Sequence, residues 1–350
     1  MSDSAVRVPV SVLTTFVVEV LHAVGVPEED GAIVADCLLT ADLSGIESHG
    51  VVRLAHYVQR LSNGSINPRP VIRFERASAG VGYLDGGDGL GHVVAHRATS
   101  EVMRLAAETG AGAVAVGNSS HFGMAGHYAL RLAARGFIGL CMTPTDRLLV
   151  PYGGSRPFFG SNPVCFGFPM DGAPVIVDMA TTTIPYGKVA VAVVEGETIP
   201  ADWGVDASGR PTTEPEQVVG LHPVGGPKGS GLAMAVDVFG SLLAGMAWGP
   251  HIVQMYGDLE SPRRLGHFFA AWDVRRFMPL DRFKRDLRVM CGELNALAPA
   301  IGFERVCYPG QLEAERREIR RIKGIPLDSG LFGELVELGQ SLNAALEPCK

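Results

Sequence analysis

The chain has 350 residues, 47% of them hydrophobic and 19% charged, with a formal charge of -7 and a pI near 5.8. That length can bury a large core and predicts two domains, or one large domain with an excursion, while the acidic balance and the lack of a basic stripe interleaved with aromatics argue against a nucleic-acid partner. The longest apolar run, "GLAMAVDVFGSLLAGMAW", is broken by Asp237, Ser241 and several glycines, so no membrane span is predicted; the first thirty residues lack the pattern of a secretory signal, which predicts a cytoplasmic protein.

In chain order, Val10, Leu13, Phe16, Val17, Val20 and Leu21 fall at helical spacing, as do Ile33, Val34, Cys37, Leu38 and Ala41. Pro27 and the acidic residues after it suit the first turn of the second helix. A further helix is predicted over 49–61, with Val51, Leu54, Val58 and Leu61 as its buried stripe, His49, Arg53, His56 and Arg60 opposite, and Tyr57 at the margin. "NGSINPRP" ends this helical block.

From about 80 to 180 the texture changes to short β-rich runs, "AGAVAVG", "FIGLCMT", "PVCFGFP" and "PVIVDMA", with helices near 92–108 and 124–135 between them. Mixed α/β architecture follows. After 228 the sequence predicts a long apolar helix buried on most sides, then "LGHFFAAWDV" as a strand, and 281–297 as an amphipathic helix through Phe283, Leu287, Met290 and Leu294. "EAERREIRRIKG" reads as a solvated helix. The expected organisation is a helical unit from 1–75 plus 281–350, packed together, beside a mixed α/β unit over 76–280.

Cysteines at 37, 141, 165, 291, 307 and 349 show no C-x-x-C spacing, so neither a metal site nor a disulfide framework is predicted. "GGDGLGH" does not satisfy G-x-G-x-x-G, and in "GGPKGSG" Lys228 is followed by Gly229 where a Walker loop needs Ser or Thr. Ser48 and His49 are adjacent, and on an α-helix their side chains diverge by about 100°, which argues against a nucleophile and base pair.

Two histidine stretches carry chemistry. In "GIESHGVVRLAHY", His49 and Arg53 lie one helical turn apart, and a guanidinium can hold a carboxylate through two parallel hydrogen bonds. "VGNSSHFGMAGHY" is a polar loop leaving a strand, where α/β proteins tend to place sites, and this singles out His121. Asp146 lies just past "FIGLCMT", where a carboxylate could orient an imidazole and raise its pKa.

With these stretches assembled, the sequence resembles the malate/L-lactate dehydrogenase family, distinct in fold from the Rossmann enzymes of the same name. The likeness spans nearly the whole chain, through "GIESHGVVRL", "GNSSHFGMAGHYALRLAARGFIGL", "VPYGG", "GSNPVCFGFP", "VDMATT", "IPADWGVDASGRPTTEP" and "GGPKGSGLAMAVDV". "DMATT", "MYGDLESPRRLGH" and "YPGQ" resemble most the members that act on ureidoglycolate.

The resemblance implies a mixed-sheet, non-Rossmann fold and a homodimer that transfers a hydride reversibly between NAD or NADP and a small 2-hydroxy or 2-keto acid. Malate, L-lactate and cyclic imino acids are alternative substrates, and a non-catalytic cofactor-binding protein is the alternative from another class. His121 matches the acid/base position, with His49 the second candidate. Ser48 and Arg53 match the substrate pocket, where Tyr57 is placed with them. Thr145, Asp178, Met179, Ala180 and Lys228 match cofactor contacts, with Gly310 and Gln311 added from "YPGQ". One departure is Ser230, where relatives commonly carry an aromatic.

Overall fold

The structure, a computed structural model, describes residues 5–346. After the short strand β1 (Val6–Val8), α1 (Val10–Ala23) and α2 (Glu28–Ser44) each begin directly behind a proline, and α2 carries Glu28, Glu29 and Asp30 in its first turn. Their apolar stripes meet each other: Leu13, Phe16, Val17, Val34 and Leu38 are fully buried in one core. Gly45, at φ 77°, ends α2 in the left-handed conformation that favours glycine.

The single helix expected over 49–61 is interrupted. Two short 3-10 turns, Glu47–His49 and Val51–Arg53, precede α3 (Leu54–Ser62). The break has a local cause. Asp42, buried near the end of α2, accepts the Val51 N–H at 2.9 Å, and Gly50 lies so close that a Cβ there would sit 1.8 Å from the carboxylate oxygen. The predicted stripe of Val51, Leu54, Val58 and Leu61 is buried, but Tyr57 and Arg60 are buried as well, each about 1% exposed, because a later loop folds over that face.

The central sheet is built by β2 (Arg73–Arg76), β3 (Val81–Asp85), β4 (Ala111–Ser119), β5 (Phe137–Met142), β6 (Val164–Phe168), β7 (Val175–Met179) and, inserted late, β10 (Leu265–Asp273). The seven strands lie in the order β2-β3-β4-β10-β5-β6-β7, and only the β3–β4 pair is parallel. Because β10 runs antiparallel to both β4 and β5, and β6 to both β5 and β7, the strands β3, β4, β5 and β7 all point one way. Their carboxyl ends share an edge.

One register row crosses this sheet: Val114, Phe269, Cys141, Cys165 and Asp178 are successive partners. The first four are buried beneath α4 (Gly91–Thr109) and α5 (Ala125–Ala134). The row thus ends in a carboxylate on the edge strand, where Asp178 accepts the Gly126 N–H of the first turn of α5 at 2.7 Å. Four of the cysteines, Cys37, Cys141, Cys165 and Cys291, are buried free thiols; Cys307 is half-buried and Cys349 lies outside the described residues.

Between β7 and β10 the chain makes an excursion through α6 (Tyr186–Glu195), the two-stranded pair β8 (Gly204–Val205) and β9 (Gly220–Leu221), and α7 (Pro227–Asp237). The long buried helix expected after 228 is not formed. α7 ends after 11 residues and passes into a π-type turn over 238–242, and Leu232, Met234, Phe239, Leu242 and Leu243 are exposed. α8 (Leu280–Asn295) also departs from expectation: of its side chains only Cys291 is buried, and Met290 and Leu294 face outward. α9 (Gln311–Lys323), the charged helix, has no buried residue and packs on α2, while α10 (Ser329–Leu342) packs on α1 and β11 (Ile325–Leu327) pairs with β1.

Burial raises the Asp42 carboxyl from 3.8 to about 7, opposed by the Val51 N–H. The folded chain therefore keeps a proton that the unfolded chain has lost, and the stability from this group is full below pH 4 and disappears as pH rises through about 7. Asp42→Asn keeps the acceptor oxygen but cannot ionise. The melting temperature of the wild type minus that of the variant should fall between pH 5 and pH 8; a difference independent of pH would contradict this origin.

Candidate active site

The shared edge of the sheet gathers the candidate residues. His121 lies in the loop that joins β4 to α5, and this loop is pinned from below by α4. Gly91 donates its N–H to Ser120 Oγ at 2.8 Å, and a Cβ on Gly91 would lie 2.2 Å from the Ser120 carbonyl oxygen and 2.5 Å from that of His121. No other residue permits that approach. Beneath the loop, His267 ties three strand ends together, with Nε2 2.8 Å from Ser119 Oγ and Nδ1 2.8 Å from Thr143 Oγ1.

Four imidazoles or phenols meet above this support. Tyr57 Oη is 2.7 Å from His121 Nδ1, and the His49 ring stacks against His121 with centroids 5.6 Å apart. His92, fully buried, meets the Tyr57 ring edge-on at 4.9 Å, and neither of its ring nitrogens has a hydrogen-bond partner among the described residues. Burial holds His49 down to about 4 and His92 to about 3, and lowers His121 well below the ordinary 6.5; the neighbouring histidines and Arg53 act on His121 in the same direction. The cluster is uncharged near neutral pH.

Ser48 and His49 do interact, against the expectation from an α-helix. Ser48 Oγ is 2.9 Å from His49 Nδ1, because these residues form a 3-10 turn. Arg53 donates from Nε to the Ser48 carbonyl at 2.6 Å and lies 5.7 Å from the centre of the Tyr256 ring. Its two terminal nitrogens, which take no hydrogen bond among the described residues, make it the guanidinium best able to receive a carboxylate.

Asp146 does not orient His121. Its carboxylate is held by Arg263 Nη2 on one oxygen and by the Met255 N–H at 2.6 Å on the other. Arg263 also donates to the Val253 carbonyl at 2.9 Å. Arg60 completes the brace, donating to the carbonyls of Gln254, Met255, Asp258 and Ser261 at 2.7 to 3.3 Å. Two buried guanidiniums and one carboxylate thus fix the 253–263 loop, which carries Tyr256 over Arg53. This arrangement was missed in the sequence because its partners are carbonyl groups some 200 positions away; the pair Arg263 and Arg264 just before a strand was the only visible signal.

The remaining candidates divide. Asp178 and Gly310 line one cavity of about 360 Å³ with Met124, Ile176 and Glu313. Gly310, at φ 84°, lies so close to β7 that a Cβ would be 2.9 Å from the Ile176 nitrogen, and Gln311 opens α9 with its side-chain oxygen accepting from the Tyr308 N–H. Met179 and Ala180 follow Asp178 at the strand end, Met179 exposed. Thr145 lies after β5, its hydroxyl accepting from the Ser161 N–H at 2.9 Å. Lys228 is exposed in the first turn of α7, behind Gly225 and Gly226, both at positive φ. Ser230 accepts the Tyr152 N–H at 3.2 Å and so ties this helix to the "VPYGG" loop.

The carboxyl ends of β4 and β7 meet at the amino end of α5, beside a buried imidazole and a guanidinium with open donors, the edge at which α/β sheets place ligands. The comparisons agree. The malate/L-lactate dehydrogenase family matches residues 8–336, and the chain belongs to that family. It is 38% identical to a malate dehydrogenase of Pyrococcus abyssi, over 97% of this chain and 96% of the relative. Ureidoglycolate dehydrogenase (NAD(+)) of Escherichia coli is 35% identical over 89% of this chain and 90% of its own. The solved structure of sulfolactate dehydrogenase from Methanocaldococcus jannaschii superposes with a TM-score of 0.91 at 33% identity, covering 98% of both chains. The protein is thus a hydroxyacid dehydrogenase of this family, with the mixed-sheet fold that the resemblance implied.

Asp146→Ala should release Arg263 and loosen the 253–263 loop. We expect KM for the acid substrate to rise at least tenfold, with a smaller effect on kcat; a kcat loss without a change in KM would return Asp146 to a role at the imidazole.

Proposed function

We propose that this protein oxidises a small 2-hydroxy acid, and reduces the matching 2-keto acid, with NAD. The observation that carries the reading is Arg53, whose terminal nitrogens make no hydrogen bond among the described residues, close enough to the buried His121 for its charge to lower the imidazole's pKa. A nicotinamide cofactor, when bound, would supply the hydride acceptor and donor. The chain's own groups do the rest: Arg53 holds the carboxylate, Ser48 and His49 hydrogen-bond beside it, and His121 Nε2 removes or returns the hydroxyl proton. A low pKa keeps the imidazole available as a base through neutral pH.

Asp178, Gly310 and Gln311 at the β7–α9 junction, Thr145 beyond β5 and Lys228 at the amino end of α7 would hold the cofactor. The chemistry fits: helix amino ends suit phosphate oxygens, and Lys228 is a mobile cation. NAD is the proposed form because Asp178 and Glu313 both line the cavity at β7, where carboxylates accept ribose hydroxyls and repel a 2′-phosphate.

Ureidoglycolate is the favoured substrate, on "DMATT", "MYGDLESPRRLGH" and "YPGQ". The exposed apolar side chains of α7 and the turn after it, Leu232, Met234, Phe239, Leu242 and Leu243, support a homodimer. No helix among the described residues is long and apolar enough to cross a membrane; a cytoplasmic location is part of the proposal.

The test is absorbance of reduced nicotinamide on mixing the purified protein, with NAD or NADP, with ureidoglycolate, malate, lactate, sulfolactate and a cyclic imino acid. Turnover of ureidoglycolate with NAD is expected; silence across the panel sinks the reading. Arg53→Ala should raise KM by about 100-fold or more, since charged hydrogen bonds contribute about 1.5–3 kcal/mol each, whereas His121→Ala should chiefly lower kcat, by about 10²–10⁴.

A further inference from the structure

The ring that covers Arg53 belongs to an exposed residue on a fixed backbone. Tyr256 is 61% exposed. Just before it, the Met255 N–H donates to Asp146 at 2.6 Å and the Met255 carbonyl accepts from Arg60 Nη2 at 2.8 Å; two residues after it, the Asp258 carbonyl accepts from the same nitrogen at 2.7 Å. The ring is supported too. Arg60 Nε donates to His56 Nε2 at 3.1 Å, and the His56 and Tyr256 rings meet with centroids 4.8 Å apart. One buried guanidinium thus fixes the main chain on both sides of Tyr256 and the imidazole on which its ring rests. The fold itself gains little from a side chain so exposed, so the bracing directs attention to what the ring faces.

It faces Arg53, whose guanidinium carbon lies over the ring 5.7 Å from its centre. Apart from this contact, the Arg53 guanidinium is held among the described residues by one hydrogen bond, from Nε to the Ser48 carbonyl at 2.6 Å. A single bond leaves the guanidinium plane free to swing about the N···O line. An aromatic face opposes that swing, because a cation within about 6 Å of the ring centre is attracted to its negative face.

The geometry points to Tyr256 as the positioning residue of Arg53: its ring sets the plane in which a carboxylate is received, and through that plane the enantiomer of the hydroxy acid that the pocket accepts. The inference rests on Arg53 as the carboxylate clamp. Two parallel N–H···O bonds form when carboxylate and guanidinium share a plane. A carboxylate held in a fixed plane leaves the hydroxyl-bearing carbon two ways to place its hydrogen and its remaining substituent, one for each enantiomer, and fixed walls accept one of them. Where the plane can tilt, the mirror image reaches the same contacts. Tyr256 therefore acts on specificity through Arg53, and it does so as a ring, without need of its hydroxyl.

The test uses the full chain labelled with ¹⁵N-arginine, with Arg53→Lys identifying the Arg53 Nε–H signal and oxamate as the acid probe. In the wild type and in Tyr256→Phe the Arg53 Hε resonance should carry the displacement that an aromatic face imposes, and Tyr256→Leu should abolish it; a signal identical in all three overturns the inference without any turnover. Oxamate should move the same signal, with a dissociation constant about 3- to 30-fold higher in Tyr256→Leu, the range of one cation–π contact, and within about twofold of the wild type in Tyr256→Phe. Kinetics read the specificity, with the enantiomers of ureidoglycolate, malate, lactate and sulfolactate assayed separately. Tyr256→Leu should raise KM for the preferred enantiomer by the same factor and reduce the ratio of kcat/KM between enantiomers at least about fivefold, while the dissociation constant for NADH, read by fluorescence, stays within about twofold. Tyr256→Phe should keep the wild-type ratio. An unchanged ratio in Tyr256→Leu overturns the assignment, and so does an equal loss in both variants, which would make the hydroxyl a substrate contact. If no acid is turned over and oxamate leaves the wild-type Arg53 signal unmoved, the functional reading fails, and the ring-dependent displacement of that signal still decides whether Tyr256 positions Arg53.

Discussion

The contact on which the site depends is backbone against backbone, where the amino end of α4 lies under the loop that carries His121. Gly91 has no side chain, so the Ser120 and His121 carbonyls approach to distances that a Cβ would forbid, and Ser120 Oγ fastens the two segments by accepting from Gly91 and donating to the Gly89 carbonyl at 3.0 Å. A loop held in this way has little freedom to tilt its imidazole. Tyr57, His49 and His92 then pack around a ring whose place is already given. Misplacement of a catalytic group by about 1 Å can cost about 10² in rate, which is reason enough for such close packing.

Local physics made much of this legible beforehand. The strands around "AGAVAVG", "FIGLCMT", "PVCFGFP" and "PVIVDMA" and the helices between them stand where the patterning put them, because each has an apolar face that only a sheet under helices can cover. The buried stripe of Val51, Leu54, Val58 and Leu61 was visible for the same reason. What could not be read is what distant segments do to that pattern. Arg60 looked like a surface cation until carbonyls from 254–261 closed over it, and Asp146 looked like a partner for an imidazole until Arg263 claimed it. α7 and α8 show the converse error: apolar spacing implies a covered face, and in one chain taken alone those faces are uncovered.

The excursion between β7 and β10 links the Asp178 end of the sheet with the loop over Arg53. It leaves the sheet at Met179, beside the Asp178 carboxylate, and returns at Leu265, just after the loop that carries Tyr256. Along the way Lys228 starts α7, and Asp237 at its end accepts from Asn162 and from the Gly249 N–H. Lys228 and Tyr256, the ring over Arg53, are thereby carried by one segment with both ends anchored in the same sheet edge. His267, bonded to Ser119 and Thr143, fastens the return. A shift of α7 would be transmitted to both ends of the segment through these ties.

Charge decides how this geometry can be used. Three guanidiniums stand near four imidazoles, but they are not equivalent: Arg263 is paired with Asp146, Arg60 donates to carbonyls, and Arg53 keeps both terminal nitrogens without a hydrogen bond among the described residues. Burial together with these charges holds His49 and His56 to about 4 and lowers His121 well below the ordinary 6.5, which favours neutral rings beside the Arg53 cation. In the proposed reaction, a carboxylate arriving at Arg53 would bring the missing negative charge. Its presence opposes the fields that keep His121 neutral and favours the charged ring, by the same Coulombic rule that lowered the pKa in its absence. The proton of the hydroxyl is therefore best accepted when the acid is seated, and a ring that is a poor proton holder in the free protein becomes a better one in the complex. In the proposed reaction, coupling of this kind would make capture of the carboxylate by Arg53 part of the proton chemistry at His121.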